Sequence, residues 1–224
     1  MSKNLWKTPD RGVDPKRDHN KIKPVAPYFR GNSHLFWQTN LPKSLCDEII
    51  DQYKDRNAKP GQSIGEAGYR KVNTFWSPAG DWFPSFMANY IWFANDNMFE
   101  YDLCAMYYEE CHMLEYDEGH YYHWHSDYDP QMIIGKSIPN WEKIYPKIDE
   151  YVRKLSFTLQ LSDEDEYEGG DMELVEPCTE QVITMSKKRG ALCIFDSRLK
   201  HRVLPVESGK RYAMVGWCLG PKWK

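Results

Sequence analysis

From Tyr101 onward the chain is written in short segments of alternating character, and this limits what it can fold into more than any other feature. Tyr101 to Tyr116 mixes aromatic with aliphatic and polar residues, and LSFTLQL (Leu155 to Leu161) alternates more cleanly. Gln181 to Met185, Ala191 to Phe195 and Arg211 to Cys218 read as further strands. Gly169-Gly170, Lys187 to Gly190 and Ser208-Gly209 supply turns between them. The part before Tyr101 has helical spacing. Pro42 sits where a first-turn proline belongs, with Leu45, Ile49, Ile50 and Tyr53 on one face and an end before Pro60-Gly61. A second helix is expected from Pro84 to Asn95, with Phe86, Tyr90, Ile91 and Phe93 apolar. Two helices followed by many short strands imply an α+β chain, mainly β, with a β-sandwich or jelly-roll body.

At 224 residues the chain is expected to be one domain, large enough for a core without disulfide or metal staples. Aromatics reach 15%, which excludes low-complexity disorder for most of its length. No apolar run is long enough to span a bilayer, and MSKNLWKTPDRGVDPKRDH has no apolar core of a secretory signal. A formal charge of -4 argues against a generic nucleic-acid binder and gives no reason to expect a membrane partner. Residues 1–30 differ from the rest: eight Lys/Arg stand against three Asp, among four prolines. They read as a basic, partly flexible N-terminal arm of charge +5, leaving a body (31–224) of -9 as a single domain. The six cysteines form no CxxC pair, so a zinc ribbon is not expected; they read as thiols of a reducing, cytoplasmic protein.

The chemistry concentrates in YDEGHYYHWHSD, Tyr116 to Asp127. On a strand, residues two apart share a face, so His125 and Asp127 lie side by side and can chelate one metal ion. His123 shares that spacing and is an alternative ligand. A two-point site binds weakly, so a third ligand is required. His201, in DSRLKHRVLPV before a short apolar run, is the best candidate. Two histidines and a carboxylate with open positions opposite form the facial triad of non-haem Fe(II) oxygenases. An HxD pair alone is a weak signal, because histidine and aspartate on strands are commonly just hydrogen-bonded. Arg211, ten residues after His201, can return beside the metal through the Ser208-Gly209 turn and grip a carboxylate with two parallel hydrogen bonds.

Taken together these blocks resemble the 2-oxoglutarate and Fe(II)-dependent dioxygenases, in particular the prolyl 4-hydroxylase and PKHD-type branch. The family pattern YxxGxxYxxHxD is met by Tyr116, Gly119, Tyr122, His125 and Asp127. LSxxLxL followed by GG is met between Leu155 and Gly170, and HxVxPVxxGxRxxxxxW by HRVLPVESGKRYAMVGW from His201 to Trp217. The resemblance implies a double-stranded β-helix, the cupin-like jelly roll, with supporting N-terminal helices. It implies that His125, Asp127 and His201 hold Fe(II), and that Arg211 binds the distal carboxylate of 2-oxoglutarate. Tyr116 would line the cosubstrate site. Gln160 stands near that carboxylate where relatives often carry tyrosine, and Val215 where some carry a hydroxyl. The implied activity consumes 2-oxoglutarate and O₂, releases succinate and CO₂, and hydroxylates a C–H bond, with ascorbate as reductant. A peptidyl residue, plausibly proline, is the expected substrate. The alternatives are the same chemistry on a small molecule or nucleobase, or a non-catalytic jelly-roll binding module.

The family crosses from Asp127 to Leu155 with fewer residues than this chain uses. The extra stretch, about 128–154, holds Tyr128, Trp141, Tyr145 and Tyr151 among prolines. It reads either as a lid over substrate or as a packed insertion with a short helix from Trp141 to Arg153. Tyr122, His123, Tyr128 and Trp141 are the candidate substrate-pocket residues. His120 is a second neighbour of the site, and His112 and Trp217 read as structural.

Overall fold

In a computed structural model, residues 33–54, 59–60, 68–77, 81–104, 111–128 and 151–223 are described. The chain order is β1 (His34–Gln38), α1 (Lys43–Lys54), β2 (Lys59–Pro60), β3 (Arg70–Lys71), β4 (Asn73–Ser77) and α2 (Trp82–Ala94), with a π-helical turn at Asn95–Phe99. There follow β5 (Cys111–Tyr116), β6 (Tyr121–His125), β7 (Tyr151–Gln160), β8 (Tyr167–Gly169), β9 (Met172–Val175) and β10 (Val182–Thr184). The last four are β11 (Ala191–Asp196), β12 (His201–Val203), β13 (Val206–Gly209) and β14 (Arg211–Pro221).

The strands form a seven-stranded sheet, β1-β11-β7-β14-β5-β4-β2, and a five-stranded sheet, β10-β9-β12-β6-β3. Strands β13 and β8 make a short two-stranded ribbon. All pairings are antiparallel. The two large sheets face each other in the jelly-roll arrangement, and the helices cover the outer face of the larger one. Two apolar clusters record these layers. One joins Ile49 and Tyr53 of α1 and Phe83, Met87 and Ile91 of α2 to Phe157 of β7. The other lies between the sheets, where Leu114, Tyr116, Leu174, Cys193, Phe195 and Val203 meet.

Several expectations are refined by packing. The first helix ends at Lys54, and the Pro42 carbonyl accepts the Cys46 N–H at 3.3 Å. The second begins two residues before Pro84, because Asp81 caps it by accepting the Trp82 N–H at 2.8 Å. Its buried stripe is Phe83, Met87, Ile91 and Ala94. Phe86 and Tyr90 are only partly buried and pack on each other, Tyr90 also meets Trp37 of β1, and Phe93 is exposed. Nearly every side of this helix is aromatic or apolar, so spacing alone did not single out the inward stripe. Tyr151–Arg153, the end of the short helix in the packed-insertion alternative, instead open β7 and pair with Leu219, Gly220 and Pro221 of β14. The rest of the proposed lid, Trp141 included, lies outside the described residues, as does the basic arm. None of the six cysteines is in a disulfide. Among the described residues no helix is long and apolar enough to cross a membrane.

Candidate metal and cosubstrate site

His201 of β12 pairs directly opposite His125 of β6, so two imidazoles from adjacent strands enter the same space between the sheets. Asp127 follows in the turn after β6. Its N–H donates to the Ser197 carbonyl at 2.9 Å, tying that turn to the β11–β12 connection. One ligand atom from each of the three residues lies within 4.8 Å of the other two. Asp127 Oδ1 is 3.9 Å from His125 Nε2, and Oδ2 is 3.5 Å from His201 Nε2.

The hydrogen bonds settle which nitrogens face inward. His125 Nδ1 meets the His123 carbonyl at 2.8 Å, and His201 Nδ1 meets the Leu199 carbonyl at 3.1 Å. A carbonyl only accepts, so each Nδ1 carries the proton and each Nε2 presents a lone pair to the common space. Burial, then His201, pulls the His125 pKa down to about 3, which keeps its ring neutral. Burial pushes Asp127 up, but His201, His125, Arg153 and the Ser156 hydrogen bond outweigh it and hold the carboxyl at about 2. Two neutral imidazoles and one carboxylate are the donor set that suits a divalent iron site with open positions. Ser156 Oγ steadies the carboxylate, donating to Asp127 Oδ2 at 2.7 Å.

His123 does not share this face. Going from His201 to Val203 on β12 advances the pairing from His125 to Tyr122 on β6, a bulge that breaks the period of two. His123 is exposed and packs beside Tyr121 and Tyr69. Tyr122 is thereby brought onto His125, its ring stacked at 3.5 Å and 17°. Burial pushes the Tyr122 pKa up to about 12. Tyr128 is half-buried beside the cluster, with its N–H on the Ser197 carbonyl.

On the opposite sheet Arg211 pairs with Tyr116 across β14 and β5, with exposures of 2% and 1%. Its guanidinium carbon lies 5.3 Å from the Tyr116 ring centre. Arg189, Arg198 and Arg202 each hold a carboxylate. Among the described residues no carboxylate lies within ion-pair distance of Arg211. A buried guanidinium so placed has hydrogen-bond donors to offer an anionic group. The Tyr116 phenol lies between the two halves of the site, feeling Asp127 as well as Arg70 and Arg211, and burial is what raises its pKa. Gln160 is buried in β7, where its Nε2 donates to the Tyr167 hydroxyl at 3.0 Å and the Ser162 carbonyl at 3.2 Å.

The structure adds residues that the sequence did not single out. Trp76 of β4, 40% exposed, lies on His112 at 3.9 Å, and His112 meets Trp217 at 5.1 Å. Arg153 lies over Trp217 at 3.7 Å and Arg70 over Tyr122 at 4.6 Å. Burial, then Arg153 and Arg70, pulls the His112 pKa down to about 3, so its ring is a neutral wall. His112 and Trp217 were expected to be structural; they form part of an aromatic surface that begins near Asp127 and ends in solvent at Trp76.

Residues 111–219 match the model of the 2OG-Fe(II) oxygenase superfamily. This stretch belongs to the 2OG-Fe(II) oxygenase superfamily. The chain is 41% identical over 93 residues to a PKHD-type hydroxylase of Synechococcus elongatus, a match that spans 41% of this chain and 40% of that relative. It is 44% identical over 63 residues, 28% of each chain, to a PKHD-type hydroxylase of Parvibaculum lavamentivorans. The matched stretch therefore spans less than half of these relatives. In fold, the chain resembles a Pseudomonas putida prolyl-4-hydroxylase with a TM-score of 0.63 at 20% identity, covering 85% of this chain and 93% of that one. It also resembles a Trichoplax adhaerens prolyl hydroxylase solved with a hypoxia inducible factor peptide fragment, with a TM-score of 0.63 at 18% identity over 84% of each chain.

Proposed function

We propose that this protein is a 2-oxoglutarate- and Fe(II)-dependent hydroxylase acting on a peptidyl residue, proline first, and releasing succinate and CO₂. The observation that carries this is the pairing of a His/Asp/His cluster with a buried guanidinium that has no carboxylate partner among the described residues, both between the same two sheets. His125, Asp127 and His201 would hold the iron, and Arg211 the distal carboxylate of the cosubstrate. Bound iron and 2-oxoglutarate would supply the activation of O₂ and the oxidation of a C–H bond.

The chain's own residues bind, orient and exclude. Arg211 offers a planar pair of N–H donors to a carboxylate where solvent cannot compete. Tyr116 closes the space between that carboxylate and the metal cluster, keeping water out. Tyr122 and Ser156 fix one imidazole and the aspartate, so the ligands keep their geometry in the absence of the ion. The Trp76, His112 and Trp217 surface suits the C–H face of a compact ring such as pyrrolidine, and its exposed end suits the extended chain of a peptide. The prolyl hydroxylase of Trichoplax adhaerens that shares the fold is itself a peptide complex, which supports a peptide substrate here. The protein is read as cytoplasmic, as one domain from 31 to 224 preceded by a basic arm, and as served by ascorbate as reductant.

The test is an anaerobic titration of the Fe(II)-loaded protein with 2-oxoglutarate, followed by its visible charge-transfer band. A coloured 1:1 complex is expected, and a colourless one would remove the oxygenase reading. Arg211→Ala should raise the 2-oxoglutarate requirement on the order of a hundredfold with iron affinity nearly unchanged. Equal loss of both would show that Arg211 is structural. Proline-rich peptides incubated with the complete system should gain the mass of one oxygen atom. Their failure across a broad panel, with turnover of a free amino acid instead, would move the substrate to a small molecule.

A further inference from the structure

Tyr167 stands in the acidic turn before Gly169-Gly170, and nothing in its sequence setting marks it as part of a site. In the fold it is 4% exposed, and its hydroxyl meets the Arg211 guanidinium. Gly170 shows how closely the two meet. A Cβ built there would be 3.2 Å from Tyr167 Cε2 and 3.3 Å from Arg211 Cδ. Lys187 clamps the ring from the other side, its Nζ 4.4 Å from the ring centre while it donates to the Gly169 carbonyl at 2.8 Å.

The hydrogen-bond inventory at the Tyr167 hydroxyl is informative. A phenol has one proton to donate and can accept two. Gln160 Nε2 donates to it at 3.0 Å. The amide cannot be turned round to accept instead, because the same Nε2 also donates to the Ser162 carbonyl at 3.2 Å, and an oxygen in its place would face that carbonyl. Arg211, which also meets the hydroxyl, has no acceptor atom at all. The Asp171 carboxylate acts on Tyr167 through its charge and makes no hydrogen bond to it. Both hydrogen-bonding neighbours are donors, so the hydroxyl proton of a buried tyrosine has no acceptor among the described residues. A buried donor left unmade is costly unless a ligand meets it.

We propose that the Tyr167 hydroxyl donates to the distal carboxylate of 2-oxoglutarate beside Arg211, with Gln160 as the residue that aims it. The hydroxyl that relatives often place at position 160 is thus delivered from β8, and Gln160 fills the vacated position with an amide that orients it. This stands only if 2-oxoglutarate binds at Arg211.

The test is binding, not turnover. Protein loaded with Fe(II) under anaerobic conditions is titrated with 2-oxoglutarate and, separately, with 2-oxobutyrate, which keeps the chelating 2-oxoacid end and lacks the distal carboxylate. Tyr167→Phe keeps the ring and removes the hydroxyl. It should weaken 2-oxoglutarate by about 10- to 100-fold, the worth of one hydrogen bond to a charged group. It should leave 2-oxobutyrate and iron binding as in the wild type, which a merely distorted site would not. Gln160→Leu should weaken 2-oxoglutarate less, in the same selective way. Wild-type 2-oxoglutarate affinity in Tyr167→Phe, or an equal loss for both 2-oxoacids, would overturn the role of Tyr167 while leaving the cosubstrate reading intact. A wild-type protein that binds iron but prefers neither acid would overturn both.

Discussion

Strand β7 buries both of its faces, and the two are made of opposite chemistry. Leu155, Phe157 and Leu159 turn toward the helices, each no more than 1% exposed. Ser156, Thr158 and Gln160 turn toward the smaller sheet and are buried almost as completely, at 1%, 6% and 1%. The outer face contributes stability in proportion to the apolar area it removes from water. The inner face contributes little net stability, because each polar group must recover in hydrogen bonds what it loses in hydration. Degree of burial therefore does not separate core from site here. What separates them is whether the buried groups close on one another or leave something unmet, as Arg211 and Tyr167 do. Substitutions on the two faces should accordingly fail in different ways.

The largest effect is expected on the inner side, at a ligand. His201→Ala should lose Fe(II) affinity by more than the roughly 10- to 100-fold that follows from removing a mere supporting contact. The metal-free variant should still unfold in one cooperative step. Anaerobic equilibrium dialysis checks the first statement and urea denaturation the second. Iron held at wild-type affinity would take His201 out of the site.

On the outer face Phe157→Ala should do the reverse. Phe157 packs on Phe83 of α2 and lies over Gly216 of β14, where even a Cβ would come within 2.6 Å of its ring. Deleting the ring leaves a cavity at the junction of helix and sheet, and the loss should be about 3–5 kcal/mol in urea denaturation. The folded fraction should bind iron as before. A parallel loss of iron affinity would mean that the two faces are coupled through β7 and that the division drawn here is too sharp.

The outer face was the more legible in sequence, because apolar alternation in LSFTLQL reports directly on packing. The metal cluster was legible for a different reason: a histidine and a carboxylate two apart are conspicuous in an aromatic stretch. What escaped notice has physical causes. The bulge in β6 turned His123 outward and Tyr122 onto His125, and no residue type announced it. Arg70 lies on a strand of two residues, too short to show a period, and Trp76 on one of five. His112 and Trp217 read as structural because a strand pattern does not tell which end of a buried face opens to solvent. Tyr167 stands among acidic residues beside a glycine turn, a setting that in sequence marks only a surface loop, and the tertiary approach of Gly170 to Arg211 gives it a partner.

The smallest effect separates the faces most finely. Ser156 is as buried as its neighbour Phe157, yet its hydroxyl contributes orientation more than stability. Its single proton goes to Asp127 Oδ2 at 2.7 Å, so at the 2.9 Å contact with Ser197 Oγ it must be the acceptor. The relay Ser197 to Ser156 to Asp127 thus has one direction, and the Ser197 carbonyl separately holds the Asp127 N–H. In Ser156→Ala the backbone of Asp127 stays anchored while one carboxylate oxygen becomes free to turn. Stability should change by about 1 kcal/mol, far less than for Phe157→Ala one position along. Iron affinity should fall about tenfold, as for other contacts that orient a ligand. Should iron binding be untouched and stability fall by several kcal/mol, Ser156 would belong with the core after all.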